Sequence, residues 1–202
     1  MSNILVIGGT GYTGRLIAQH LLEHSEANIT IATRHVDKAQ AFADELNRQY
    51  PDYRVKAVYA DASQRDSLRS AFTDQTMVVV AAPTTAYAEN VIRVSLEMGL
   101  DYLDVQLGTR KLALLQSLAH EIEQAGLCFI TEAGFHPGLP SALVRYAATH
   151  LDSIESAITL GYLNMGKDLP YSEAVDEVVE SFRGYKSQVF KNGQWTKTNS
   201  YE

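Results

Sequence analysis

The sequence predicts an α/β fold in which helices cover both faces of a doubly wound parallel sheet. Three observations favour it: short apolar runs alternate with amphipathic helical patterns, a glycine-rich turn follows the first run, and six such runs occur by residue 131. Strands buried on both faces read as continuous apolar runs. Strand–helix alternation implies parallel pairing through right-handed crossovers, and six strands complete a sheet of this kind.

The elements follow one another regularly in the first two-thirds of the chain. Continuous apolar runs predict strands at 4–7, 28–32, 55–59, 77–81, 102–105 and 127–131. Apolar residues at helical spacing predict helices at 16–22, 39–46, 63–72, 88–98 and 112–124. The third helix is expected to open on a capping box, Ser63-Gln64-Arg65-Asp66.

The pattern changes after Ala133. A loop at 134–138 and a helix at about 140–149 are followed by a predicted strand at 156–162, a helix at 173–182 and a hairpin turning at Asn192-Gly193. We therefore predict two domains. Residues 1–150 form the α/β domain, and residues 151–202 begin a smaller α+β domain that the sequence leaves unfinished.

Composition limits the classes of function. The 202 residues include 24 acidic and 17 basic side chains, for a net charge of −7, which argues against general nucleic-acid binding. The single cysteine, Cys128, allows no disulfide and is expected to be an inert core thiol in a reducing compartment. The longest apolar run, 77–83, is too short to span a bilayer, and the first residues do not resemble a signal peptide. We expect a soluble cytoplasmic protein with neither membrane nor nucleic-acid partners.

The turn after the first strand carries a G-x-G-x-x-G pattern, Gly9-Thr10-Gly11-Tyr12-Thr13-Gly14, which Gly8 extends at its start. Such glycines allow a tight turn, close approach to a pyrophosphate and close helix–sheet packing, and the helix N-terminus attracts the phosphates. A plain glycine turn is the alternative. The position between first strand and first helix favours a dinucleotide site, and hence a Rossmann domain.

The end of the second strand indicates which cofactor is bound. NAD sites usually place an acid about 20 residues after the glycines. Here the strand ends Ala32-Thr33-Arg34-His35, and no acid precedes Asp37. Arg34 stands where a 2′-phosphate would lie, and Lys38 follows one helical turn later. We predict NADP over NAD; a solvated arginine at a strand end is the alternative.

Two further strand ends are candidates for cofactor contact. Asp61-Ala62 lies near the expected adenine edge, although Asp61 is equally well placed as a local capping acid beside Ser63. Ala82-Pro83 ends the fourth strand with small residues that would let the ribose and nicotinamide pass, or that simply pack tightly.

Several familiar catalytic devices are missing from the sequence. No tyrosine is followed by lysine at the fourth position, so the Tyr-x-x-x-Lys acid–base pair is absent. His20 and His24 have a metal-binding spacing, but no Glu lies in the zinc-protease position and no third ligand is evident. We therefore predict no metal site.

Three segments together resemble the saccharopine dehydrogenase-like family, over residues 1 to about 165. They are the glycine turn at 8–14, Asp101-Tyr102-Leu103-Asp104-Val105, and the more specific Glu132-Ala133-Gly134-Phe135-His136-Pro137-Gly138-Leu139-Pro140-Ser141. The resemblance implies an N-terminal NAD(P) domain followed by a mixed α/β domain that supplies substrate contacts and dimer surface. Members typically transfer hydride between nicotinamide and a carbon–nitrogen bond, and relatives include trans-acting enoyl reductases.

The resemblance also implies site residues. Gly8, Gly11 and Gly14 would form the pyrophosphate loop, with backbone N–H groups from Tyr12 and Thr13. Asp104 and the 134–138 loop would edge the nicotinamide pocket. His136 stands where the family often has Asp. We assign His136 or Asp104 to proton transfer; a structural hydrogen-bonding role for His136 and a helix-capping role for Asp104 are the alternatives.

Two hypotheses of function follow. The first is an NADP-dependent oxidoreductase acting on a C=N or C=O carbon of a small amino-acid-like substrate. The second is a non-catalytic NADP-binding redox sensor that signals to a protein partner. Family members usually continue past this length, so we also expect the chain to be part of a longer protein, with a homodimer forming through an exposed sheet edge.

Overall fold

The computed structural model describes residues 2–135, 138–160, 162, 188–191 and 194–197. The chain divides into two compact units, Met1–Leu160 and Gly161–Glu202. The first unit holds a six-stranded parallel sheet in the order β3-β2-β1-β4-β5-β6, which confirms the predicted doubly wound fold.

Strands and helices alternate along the first unit as the sequence predicts. The strands are β1 (Asn3–Ile7), β2 (Asn28–Thr33), β3 (Val55–Tyr59), β4 (Met77–Val80), β5 (Asp101–Asp104) and β6 (Phe129–Ile130). The helices are α1 (Tyr12–His24), α2 (Val36–Gln49), α3 (Arg65–Phe72), α4 (Ala88–Glu97), α5 (Thr109–Ser117), α6 (Ala119–Gln124) and α7 (Leu139–Ala148), with a 3₁₀ turn at Thr85–Tyr87.

The core lies on both faces of the sheet. Alternate residues of β1 point to opposite sides: Leu5 packs in the cluster beneath α3 and α4, and Val6 in the cluster beneath α1 and α2. Both side chains are fully buried. The continuous apolar run of β1 follows from this burial on two faces. The order reverses between β1 and β4, and ligands of such sheets bind at that point along the carboxyl ends of the strands.

Three local predictions need correction. The helix expected at 112–124 is two helices that meet at Leu118. The capping box does not form: α3 begins at Arg65 without a side-chain cap, because the Ser63 hydroxyl donates to Asp61 instead. Cys128 is exposed rather than buried. Cys128 precedes the edge strand β6, in which Phe129 packs against the core. Because successive side chains of a strand alternate between its two faces, Cys128 and Ile130 point away from the core.

The strand predicted at 156–162 is wrong for the described residues 156–160 and 162, which belong to no strand. A strand needs a hydrogen-bonded neighbour, and the described part of the chain offers none here. Ile158, Leu160 and Tyr162 are accordingly 84%, 94% and 88% exposed.

The second unit contains the predicted hairpin. Its strands, β7 (Gln188–Lys191) and β8 (Gln194–Lys197), pair antiparallel, with Lys191 opposite Gln194. The predicted turn residues 192–193 and the predicted helix 173–182 lie outside the described residues. In the portion of the chain that the structure covers, no helix has the length and apolar character needed to cross a membrane.

Candidate cofactor-binding site

The glycine turn leaves β1 through a tight, hydrogen-bonded bend. Gly8 has a φ of +78°, in the left-handed region that favours glycine. Its N–H donates to the Ala32 carbonyl of β2 at 2.9 Å, and the Gly11 N–H donates back to the Gly8 carbonyl at 2.9 Å. These bonds fix the turn between β1, β2 and the start of α1.

Three glycines of the turn have no room for a side chain. A Cβ on Gly8 would lie 2.6 Å from the Ala82 Cβ, and a Cβ on Gly9 would lie 2.9 Å from Ile31 Cγ2. A Cβ on Gly14 would overlap the Gly8 carbonyl oxygen. Helix α1 therefore packs directly on the turn, as a pyrophosphate loop requires.

The start of α1 is free to receive an anion. Gly11 is the N-cap residue, and no side chain among the described residues caps the helix there. The first N–H groups of α1, from Tyr12 and Thr13, thus point out of the helix end with its positive dipole. Backbone N–H groups in this arrangement bind phosphate.

Arg15 braces this turn, a role that sequence reasoning missed. Its Nε donates to the Thr10 carbonyl at 3.3 Å, and its guanidinium carbon lies 4.0 Å from the centre of the Phe42 ring. Nη1 also lies 3.6 Å from Glu45 Oε2. Arg15 directly follows Gly14 in the sequence, and this position beside the glycine motif was the signal that could have indicated its role.

The predicted phosphate and adenine residues follow the ends of β2 and β3, which are neighbouring strands of the sheet. Arg34 and Lys38 are exposed, and the Thr33 hydroxyl accepts the His35 N–H at 3.2 Å. Hydrogen bonds from Ser63 lower the pKa of Asp61, and the charge of Arg34 lowers it further. Arg34 therefore lies within electrostatic reach of Asp61.

Asp61 is engaged locally. Its Oδ1 accepts the N–H and hydroxyl of Ser63 at 2.9 and 2.7 Å, and its Oδ2 accepts Gln64 Nε2 at 3.1 Å. Ala62 beside it is buried. Of the two interpretations of Asp61, the structure shows the local one, as an Asx turn rather than a helix cap; contact with adenine stays a prediction.

The end of β4 packs against the glycine turn. Ala82 is half-buried and meets Gly8, while Pro83 is exposed. The Ala82 carbonyl accepts Gln106 Nε2 at 2.5 Å. Small residues at this position are thus needed for packing, whether or not they also pass a ribose.

Asp104, at the carboxyl end of β5, is the centre of a buried polar network. Its side chain is fully buried, and its two oxygens accept five hydrogen bonds. The donors are Lys111 Nζ (2.5 Å), the Gln106 N–H (2.9 Å) and the Glu132 N–H (3.2 Å) to Oδ1, and the hydroxyls of Tyr102 (2.7 Å) and Thr131 (2.9 Å) to Oδ2. A carboxylate so enclosed is a structural anchor for the segments that carry its donors.

Lys111 supplies the charge partner of Asp104, and sequence reasoning missed it. Its side chain is 1% exposed, and Nζ also donates to the Gln106 carbonyl at 2.6 Å. The signal was in the sequence, because Lys111 occupies the buried stripe that continues at Leu115, Leu118 and Ile122. A lysine on an apolar helical stripe indicates a buried partner.

Tyr102 remains a hydrogen-bond donor within the network. Burial, the charge of Asp104 and the hydrogen bond to it all raise the pKa of Tyr102 well above its ordinary value. The phenol is therefore protonated throughout the physiological range.

The segment after β6 follows an unusual backbone path. Glu132 has a φ of +59°, which is uncommon for a residue with a side chain, and Gly138 has a φ of +125°. A Cβ on Gly138 would lie 2.5 Å from the carbonyl oxygens of Glu132 and Gly134. The loop thus closes on itself and leads into α7. His136 and Pro137 lie outside the described residues.

Comparison with known proteins gives concordant matches. Residues 4–130 match the family described as the saccharopine dehydrogenase NADP binding domain. A trans-acting enoyl reductase of Mycobacterium ulcerans is 32% identical over 104 residues, which cover 50% of this chain and 24% of that protein. The NADP(+), L-glutamate-forming saccharopine dehydrogenase of Saccharomyces cerevisiae is 25% identical over 155 residues, covering 77% of this chain and 31% of the enzyme.

A solved structure shares the fold. Apo saccharopine dehydrogenase (L-Glu forming) from Saccharomyces cerevisiae aligns with a TM-score of 0.59 and 23% identity, over 74% of this chain and 32% of that one. The matched segments thus span about a quarter to a third of the relatives' lengths.

Proposed function

Since the chain belongs to the family of saccharopine dehydrogenase NADP binding domains, we propose that it is an oxidoreductase that transfers hydride between NADP and a C=N or C=O carbon of a small amino-acid-like substrate. NADP is the cofactor of this family, and the relatives are oxidoreductases. The observation that supports the proposal most directly is the side-chain-free cradle formed by Gly8, Gly9 and Gly14 at the carboxyl edge of the sheet.

The proposal gives each strand end a part of the cofactor. The turn at 8–14, including Thr10 and the N–H groups of Tyr12 and Thr13, holds the pyrophosphate. Thr33, Arg34 and Lys38 hold the 2′-phosphate, Asp61-Ala62 borders the adenine, and Ala82-Pro83 borders the ribose. The bound cofactor supplies the hydride, and these residues supply binding and orientation.

Asp104 acts in this proposal as a positioning residue rather than by touching substrate. Its carboxylate is enclosed and holds the Glu132 N–H and the Thr131 hydroxyl, which begin the 134–138 loop. The loop is then fixed beside the nicotinamide edge, where His136 serves as proton donor. In this proposal residues 151–202 belong to the domain that contributes substrate contacts and dimer surface.

Cofactor choice is tested by titrating NADPH and NADH into the wild type and Arg34→Ala. Losing a charge-assisted phosphate contact costs about 1.5–3 kcal/mol, so NADPH binding should weaken about 10- to 150-fold while NADH binding is unchanged. Arg93→Ala, which removes an exposed arginine from α4, is the matched control. Equal losses for both nucleotides would refute the assignment of Arg34.

Catalysis is tested by NADPH oxidation against a panel of imines, keto acids and enoyl substrates. Turnover with an imine or keto acid supports the proposal. Turnover only with enoyl substrates would instead indicate enoyl reduction, the reaction named for the mycobacterial relative. A redox sensor is the second candidate, because the Asp104 side chain is fully buried against Lys111 and so has no open path to a substrate. Tight NADPH binding without turnover across the panel would favour the sensor.

A further inference from the structure

Two histidines and a glutamate meet at the far end of α1, away from the cofactor edge. His20, Glu23 and His24 each offer one ligand atom, and these atoms all lie within 4.8 Å of one another. The sequence prediction of no metal site rested on finding no third ligand near His20 and His24. The zinc-protease pattern places Glu directly after the first histidine, whereas Glu23 shares a helix face with both histidines because positions i, i+3 and i+4 lie together.

The geometry of the three groups suits a common ligand. His20 Nδ1 lies 3.6 Å from Glu23 Oε2, and His24 Nε2 lies 3.9 Å from the same oxygen. The imidazole rings are stacked, with centroids 5.8 Å apart and planes 15° apart. In a tetrahedral zinc site with bonds of about 2.0–2.2 Å, ligand atoms are about 3.4 Å apart. Small side-chain rotations on the exposed helix face close this difference.

The carboxylate is oriented for this task by a residue on another segment. Tyr50, which follows α2, donates its hydroxyl to Glu23 Oε1 at 2.8 Å. Glu23 Oε2 is thereby left facing the two imidazoles. Outer partners of this kind are typical of metal sites.

The end of the helix also favours a cation. His24 is the last residue of α1, where the helix dipole is negative. Arg54 carries a positive charge beside this helix end, where it binds the carbonyls of Leu22, Ser25 and Ala27 while Asp52 lies 3.6 Å from its Nε. Part of the charge of Arg54 is thus offset.

From these observations we propose that His20, Glu23 and His24 form a binding site for a divalent transition metal, with zinc as the first candidate. Two imidazoles and a carboxylate are ligands that zinc prefers, and the fourth position stays open to water. Helix α1 runs from Tyr12 to His24, so it places this site about 12–18 Å along its axis from the glycine turn. The metal would tie the last turn of α1 together and take no part in hydride transfer.

Calorimetric titration of zinc into the tag-free protein tests the proposal. We expect one zinc per chain, lost in the His20→Gln/His24→Gln double variant and weakened about tenfold or more in Tyr50→Phe, as for other outer-shell partners. His120→Gln, which removes an exposed histidine from α6, should bind zinc like the wild type, and none of these variants should change NADPH affinity.

Cobalt absorption spectra supply an independent readout, because nitrogen and oxygen ligands produce d–d bands that the double variant should lack. All the substituted side chains are exposed, apart from partly buried Tyr50, so circular dichroism should show each variant folded. Zinc affinity that is undetectable in the wild type, or equal in the double variant, would overturn the proposal.

Discussion

The buried ion pair between Lys111 and Asp104 should contribute strongly to stability. Lys111→Met keeps the apolar stem and removes the ammonium, which lies 2.5 Å from Asp104 Oδ1 with both side chains almost wholly enclosed. Removing one partner of a buried pair costs about 3–5 kcal/mol, because the remaining charge is buried without compensation. Asp104 keeps four other donors, so we expect the lower value, about 3 kcal/mol.

That loss corresponds to about a 150-fold increase in the unfolding constant. Urea denaturation followed by circular dichroism measures it as a lower midpoint with an unchanged slope. The matched control is Arg93→Met. Arg93 lies 2.7 Å from Glu89, but its side chain is 42% exposed. An exposed i, i+4 pair of this kind is worth only about 0.3–0.5 kcal/mol.

A double variant measures the interaction between Lys111 and Asp104 separately from the other contacts of each side chain. Asp104→Asn alone should cost as much as Lys111→Met or more, since it leaves the ammonium buried. The two changes together should cost clearly less than their sum, because no unpaired charge remains. If Lys111→Met cost no more than Arg93→Met, or the two losses simply added, the reasoning from burial would be refuted.

Three further predictions concern the site. Gly14→Ala should cost about 3 kcal/mol by urea denaturation, since its methyl group would overlap the rigid Gly8 carbonyl, whereas a Cβ on Gly11 would lie 3.3 Å from the same oxygen and Gly11→Ala should cost much less. Above pH 10, the unfolded chain loses the Tyr102 proton while the folded chain keeps it. Stability should therefore fall by up to about 1.4 kcal/mol per pH unit, and Tyr102→Phe should reduce that slope. His136→Ala should lower turnover and leave NADPH affinity intact; unchanged turnover would remove His136 from the mechanism.

The sheet could be predicted from the sequence because its strands are buried on both faces. The runs at Ile4–Ile7 and 77–81 contain no polar residue that would indicate an exposed face, and the glycine turn fixes where the first helix starts. The strand at 156–162 failed because a strand depends on its neighbour, which a local pattern does not contain. The break between α5 and α6 at Leu118 was not predicted, because one apolar stripe runs across both helices and reads as a single helix.

The candidate site was only partly predictable. The glycine turn could be predicted because consecutive residues carry its pattern, and the role of Arg34 stays a prediction. Lys111 and Glu23 were missed, since each acquires its role from a side chain on another turn of the helix or another strand. The left-handed backbone of Glu132 has no local signature at all.

The Asp104 network also holds the strained backbone of Glu132 in place. A non-glycine residue in the left-handed region costs of order 1 kcal/mol or more and persists only when its surroundings hold it. Asp104 supplies that hold through the Glu132 N–H, and the Gly108 N–H meets the Glu132 side chain at 3.5 Å. The Asp104 carbonyl also accepts the Ala133 N–H at 2.9 Å. The same residue thus stabilises β5 and fixes where the 134–138 loop departs. Replacing Asp104 should therefore reduce turnover through loop position even at denaturant concentrations where the protein remains folded.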